Sequence, residues 1–281
     1  MIPNDTLTIA CGLASALAWG AGDFAGGLAS RRGSVLTVVL FSQMLGALLV
    51  LGLVPAFADH GPSSRQVLSG LLAGGFGVLG LVGLYHGLAT GRMGLVAPLS
   101  AVVTAVIPMG FSFMTEGLPT AVRLAGLAAA LAAVWLLSAP GGTLRMQQGE
   151  LRLSLLAGLG FGLFFILMDH ASSDAVLWPL LASKLGAVTV MLAILLATGR
   201  LQAPPRGQTA FIALAGLLDA SGTAAFTVAT RFGRLDVATV LSSLYPATTI
   251  LLAWLIFRER LSRRQWAGVL VAGTALVLIA L

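Results

Sequence analysis

The feature that most constrains this chain is a recurrence: apolar runs of near twenty residues follow one another from end to end, separated by short polar connections. A run of that length, wound as a helix rising 1.5 Å per residue, matches the ~30 Å hydrocarbon thickness of a bilayer. Spans are expected at 7–29, 35–57, 66–89, 95–115, 121–139, 151–171, 176–197, 209–231, 236–257 and 264–281. Breakers and charges mark the connections, as in Ser30-Arg31-Arg32-Gly33, Asp59-His60-Gly61-Pro62 and Ala203-Pro204-Pro205-Arg206-Gly207. A transmembrane barrel would show short alternating segments instead, and the chain has none. The expected fold class is therefore an all-α integral membrane protein with ten transmembrane helices, and its main partner is the lipid bilayer.

Composition and charge close off other classes. Only 9% of the 281 residues are charged, too few to coat a water-soluble fold of this length. The net charge of +6 sits in the connections and not in a basic stripe with interleaved aromatics, which argues against nucleic acid as a partner. Cys11 stands alone inside the first run and reads as a packing residue. Three histidines (His60, His86 and His170) and one cysteine leave no ligand set for a metal, and no cofactor motif is present. The first run lacks a basic n-region and is too long for a signal h-region, so it is expected to be a retained helix.

The chain also repeats itself. Ala18-Trp19-Gly20 is echoed by Gly160-Phe161-Gly162, Leu45-Gly46-Ala47 by Leu185-Gly186-Ala187, and Gly91-Arg92 by Gly233-Arg234. Leu99-Ser100 returns as Leu241-Ser242, and Glu116 with Leu118 as Glu259 with Leu261, all at spacings of 140 to 143 residues. The polar stretch Pro140 to Glu150 then separates two halves, 1–140 and 141–281, of five spans each. An odd number of spans inserts the second half upside down. Two inverted five-helix repeats are thus expected, a recurring transporter architecture with its site near the midplane between the repeats.

Particular residues carry a family resemblance. Trp19-Gly20, Glu116 and Gly126 in the first half, with Pro246, Glu259 and Gly268 in the second, resemble the EamA family of the drug/metabolite transporter superfamily. The stretch from Trp19 to Arg32 is similar to bacterial members of the ten-helix type. The resemblance implies a secondary transporter in the cytoplasmic membrane, often an exporter of small metabolites, with a central cavity between the halves.

Ionisable groups within spans are costly and therefore point to function. Lys184 lies about eight residues into the seventh span, Asp219 near the centre of the eighth, and Asp23 toward the end of the first. Lys184 and Asp219 are expected to face the cavity and bind a charged or zwitterionic small-molecule substrate, or to exchange protons with it. A purely structural Lys–Asp pair is the plainer reading. Pro98 and Pro108 in the fourth span and Pro246 in the ninth each remove a backbone donor, so both helices are expected to be broken there and to line the pathway. Ser100, Thr104, Ser242, Ser243 and Tyr245 supply hydroxyls beside them, and Trp19 joins the pathway from the first span. Ala10, Ala14, Ala18, Gly22, Gly26 and Ser30 form a small-residue stripe suited to close helix packing.

Two other functions are weighed. A channel would also use polar, broken helices. Gly20-Ala21-Gly22-Asp23 matches the GxGD pattern of intramembrane aspartyl proteases, which need two aspartates sharing a proton, yet neither tyrosine precedes an aspartate here. The reading is therefore not an enzyme. Ten spans place both termini on one side, and the arginine bias of 11 to 4 puts the opposite connections in the cytoplasm, whereas the resemblance implies cytoplasmic termini. Cargo and oligomeric state are not written in any of these features.

Overall fold

The computed structural model describes residues 4–58, 61–89, 93–138, 148–204, 206–257 and 262–280, and among these all regular structure is helical. The helices are α1 (Asn4–Ser30), α2 (Val35–Phe57), α3 (Ser64–Ala89), α4 (Met93–Thr115), α5 (Ala121–Ser138) and α6 (Gln148–Ala171). They continue with α7 (Leu177–Ala197), α8 (Thr209–Phe232), α9 (Leu235–Ser242), α10 (Tyr245–Phe257) and α11 (Arg263–Ala280). Each expected span has its helix, and every outer end falls within three residues of its expected position. The expected boundary between halves, near residue 140, lies outside the described residues.

Counting α9 and α10 as one run, Leu235–Ile256, seven helical segments among the described residues are long and apolar enough to cross a membrane. Leu99–Thr115 and Ala121–Leu136 are shorter apolar stretches. The fold is that of an all-helical, multi-pass membrane protein. Its outer surface agrees: Leu48, Leu68, Leu196 and Leu270 are exposed, as lipid-facing side chains should be.

Two expectations about local structure change. The ninth span is broken at Ser243 and Leu244, but α4 is helical without interruption through Pro98 and Pro108. The difference is where the missing N–H falls. Pro246 is the second residue of α10, where a helix needs no donor from it. Pro98 and Pro108 leave gaps inside a helix that continues on either side, which transmembrane helices tolerate. The small stripe of α1 also drifts. Four residues turn a helix by about 400°, so an every-fourth stripe rotates by about 40° at each step. Ala10 and Ala14 accordingly face outward, while Gly22, Gly26 and Ser30 are buried.

Helix pairing is specific. α1 runs along α8 and α3 along α6, while α4 packs on α6 and both α9 and α10 pack on α1. α3 packs on α7 and α2 on α8, and α2 also meets α7 as α5 meets α11. Lipid tails give helices no hydrophobic reason to associate, so close backbone approach at small residues must hold such pairs. A methyl group at Gly74 would collide with the Ser183 carbonyl, and one at Gly216 with the Ser42 carbonyl.

Polar ties gather at the end of the bundle where both described chain ends lie, since Asp5, Arg123, Arg234 and Ile279 line one small cleft there. Arg123 pairs with Asp5 at 2.7 Å, and Arg65 pairs with Asp174 at 2.7 Å while also donating to the Ser173 hydroxyl. Arg234 donates to the carbonyls of Gly117 (2.7 Å) and Glu116 (3.3 Å) and to Asp236 (2.9 Å). The hydrogen bond to Asp236 holds the Arg234 guanidinium above its usual range despite partial desolvation.

Candidate functional site

Near the middle of α8, the spacing Asp219, Gly222, Thr223 places three residues on one helical face. The Thr223 hydroxyl donates to the Asp219 carbonyl at 2.8 Å, and the Trp19 indole Nε1 donates to the same carbonyl at 3.3 Å. The Asp219 carboxylate is held by its Oδ2. Lys184 Nζ approaches it to 2.5 Å and Gln43 Nε2 to 2.7 Å, while Oδ1 takes no side-chain donor among the described residues. Lys184 is 3% exposed, and its Nζ also lies 3.5 Å from the Thr223 hydroxyl. A lysine so deeply buried is tolerable only with a counter-ion and further hydrogen bonds, which Asp219 and Thr223 supply.

These groups open on one cavity, lined mostly by apolar side chains with a few convergent polar groups, the make-up of a small-molecule site. Asp23, one helical turn after Trp19 on α1, lines the same cavity, and among the described residues no side chain donates to its carboxylate. Asp219 is engaged by Lys184 and Gln43, and no hydrogen bond joins it to Asp23.

One wall is aromatic. Trp19 stacks on Phe165 with centroids 5.3 Å apart, Phe165 stacks on Phe226 at 4.4 Å, and Phe164 meets Trp19 edge-on at 6.2 Å. Glycine makes the room: a methyl at Gly222 would come within 2.6 Å of Trp19, and one at Gly77 within 2.9 Å of Phe164. The cavity also carries hydroxyls. Tyr245 lines the cavity and its hydroxyl lies 3.3 Å from that of Ser100. Thr104 also lines it, is buried, and has a hydroxyl without a partner among the described residues.

The structure thus brings Trp19, Asp23, Thr104, Lys184, Asp219 and Tyr245 into one cavity, with Ser100 one hydrogen bond behind it. It does not bring Ser242 or Ser243 there. Ser242 is turned to the Gly12 carbonyl of α1 at 3.4 Å, and Ser243 is buried at the helix break. Among the proline positions, Pro246 directly follows the cavity residue Tyr245, the first of α10, whereas Pro108 lies one turn beyond Thr104 in a continuous α4. Sequence reasoning missed Gln43, Ser183 and the phenylalanines Phe161, Phe164 and Phe165. Gln43 had a signal, since a primary amide inside an apolar run bears the same kind of desolvation cost as an ion, only smaller.

Comparison with solved structures gives 28 significantly similar chains. One is a crystal structure that superposes with a TM-score of 0.73 at 16% identity, covering 95% of this chain and 98% of the other, a likeness of fold alone. No curated protein matches. The model of the EamA-like transporter family matches residues 150–281, the part that contributes Lys184, Asp219 and Tyr245 to the cavity. Over these residues, a little under half of its length, the chain is similar to the EamA-like transporter family of the drug/metabolite transporter superfamily.

Proposed function

We propose that the protein is a secondary carrier that exports a small polar or charged metabolite or drug across the cytoplasmic membrane by alternating access. The observation that carries this reading is the shared carboxylate. Asp219 and Lys184 come from α8 and α7, Gln43 comes from α2, and the latter two close on one oxygen of Asp219 inside the cavity. A site built from both halves at mid-helix depth is where inverted-repeat carriers bind their cargo.

The proposed halves are the five-helix repeats 1–140 and 141–281 in opposed orientation. Support comes from the main helix pairs, which recur when each helix is exchanged for its counterpart, although α5 also packs on α4 and α10 where α11 has no matching pair among the described residues. The α1–α8 pair answers α6–α3, α4–α6 answers α9–α10 on α1, and α3–α7 answers α8–α2. Individual contacts repeat as well. Gly80 lies against Phe161 as Gly222 lies against Trp19, and Gly74 against Ser183 as Gly216 against Ser42. By the same correspondence Gln43 and Lys184 are counterparts, so one pseudo-symmetric pair of side chains grips Asp219. Halves related in this way can exchange conformations, which opens the cavity to one side and then the other.

Arg65–Asp174 and the Arg234 fork onto Glu116 and Gly117 tie one half to the other at the chain-end side, so these links must part when that side opens. The arginine bias assigns that side to the exterior. Thiol access tests the pathway. In a Cys11→Ser background, Thr104→Cys is expected to react with membrane-impermeant maleimide applied from either face, and added cargo should slow the reaction. Protection from both faces would remove Thr104 from the pathway and sink the reading.

A further inference from the structure

We propose that Asp23, Thr104 and the free oxygen of Asp219 form a subsite for a primary ammonium group, so that the cargo is an amine with an apolar body. This rests on the carrier reading above and specifies its substrate. The cavity is lined by three charged side chains, of which Lys184 and Asp219 neutralise each other. Asp23 is left over, with no donor from any described side chain, and a carboxyl group in so apolar a surrounding needs a cation beside it to carry its charge.

The hydroxyl of Thr104 is an independent observation pointing to the same ligand. Thr104 is 1% exposed, lines this cavity, and has no hydrogen-bond partner among the described residues. Such a buried hydroxyl is costly unless something bonds to it. A primary ammonium carries three N–H donors. The cavity offers the Asp23 carboxylate, the Thr104 hydroxyl and Asp219 Oδ1, which takes no side-chain donor, as three acceptors. Phe161, Phe164, Val78 and Leu81 present the apolar surface for the body. An anionic cargo fits less well, because Lys184, the one cation among the described lining residues, is already bound to Asp219.

The experiment is isothermal titration of the full chain in detergent with 2-phenylethylammonium, its N,N,N-trimethyl analogue, 2-phenylethanol and phenylacetate. The ammonium should bind, with the alcohol and the anion weaker by about tenfold or more, as expected for loss of a charge-assisted contact. The trimethyl compound keeps the charge but has no N–H, so it should bind more weakly than the parent. Asp23→Asn should cost about tenfold and Thr104→Val a smaller factor. The wild-type ligand series stands even if a variant fails to fold. Equal or tighter binding of phenylacetate, unaltered ammonium binding by folded Asp23→Asn, or binding of none of the four probes overturns the subsite. Proteoliposome flux separates the two readings. Ammonium binding without any flux would keep the subsite and sink the carrier, whereas flux of an anionic cargo unaffected by Asp23→Asn would do the reverse.

Discussion

Replacing Lys184 by methionine is expected to abolish transport and to lower stability, whereas combining it with Asp219→Asn should return the stability and not the transport. The single change leaves a carboxylate in an apolar cavity without its cation. Removing one partner of a buried pair costs about 3–5 kcal/mol, while replacing both by neutral groups is often close to neutral. The loss here should fall at the low end of that range, because Gln43 still donates to Asp219 and the carboxylate side chain is 23% exposed. Thermal unfolding in detergent reads the stability, and uptake into proteoliposomes reads the function. A Lys184→Met protein that transports at the wild-type rate would reduce the pair to a structural feature. Recovery of both properties in the double variant would do the same.

The second large effect is steric. Gly74→Ala and Gly216→Ala should destabilise to a similar degree, because each added methyl group would run into a carbonyl, Ser183 in one case and Ser42 in the other. Overpacking of this kind typically costs about 1–3 kcal/mol, and backbone is the least yielding neighbour it can meet. Leucine at either position should prevent assembly. Gly52 and Gly273 face open space, so alanine there should change little. Unfolding temperatures of the four alanine variants make the comparison. A severe Gly216→Ala beside a harmless Gly74→Ala would contradict the proposed equivalence of the two halves.

The fold was legible because its dominant signal is length. An apolar run must be long enough to cross the hydrocarbon and must end where Gly, Pro or Arg appears, which places helix ends closely. Proline was a poorer guide, since the same residue type marks a break at Pro246 and none at Pro98 or Pro108. What decides is whether a new helix starts there, and that depends on packing against α1. The charged part of the site was legible because Lys184, Asp219 and Asp23 are conspicuous in so apolar a chain. Its aromatic wall was not. Phe161, Phe164 and Phe165 are written in the same letters as lipid-facing residues such as Phe57 and Phe232, and helical spacing alone does not tell a cavity wall from a bilayer contact. The hidden member of the ionic cluster, Gln43, carries no charge and stands among leucines and valines.

The pairing of helices also explains why one cavity is built from both ends of the sequence. α1 crosses α8 at Trp19 and Gly222, and α2 meets α7 and α8 where Gln43 reaches Asp219. Any relative motion of the proposed halves would therefore rearrange the grip on this one carboxylate. A carrier needs that coupling between the bound cargo and the closing of each side.

Counterflow into proteoliposomes tests the central claim most directly. Vesicles preloaded with excess unlabelled 2-phenylethylammonium are diluted into a trace of the labelled compound, with Lys184→Met vesicles as the control. The account predicts saturable, transient accumulation of label above equilibrium in wild type and none in the variant. Non-saturable entry carried by an ohmic current, or accumulation that is the same in both, would contradict it.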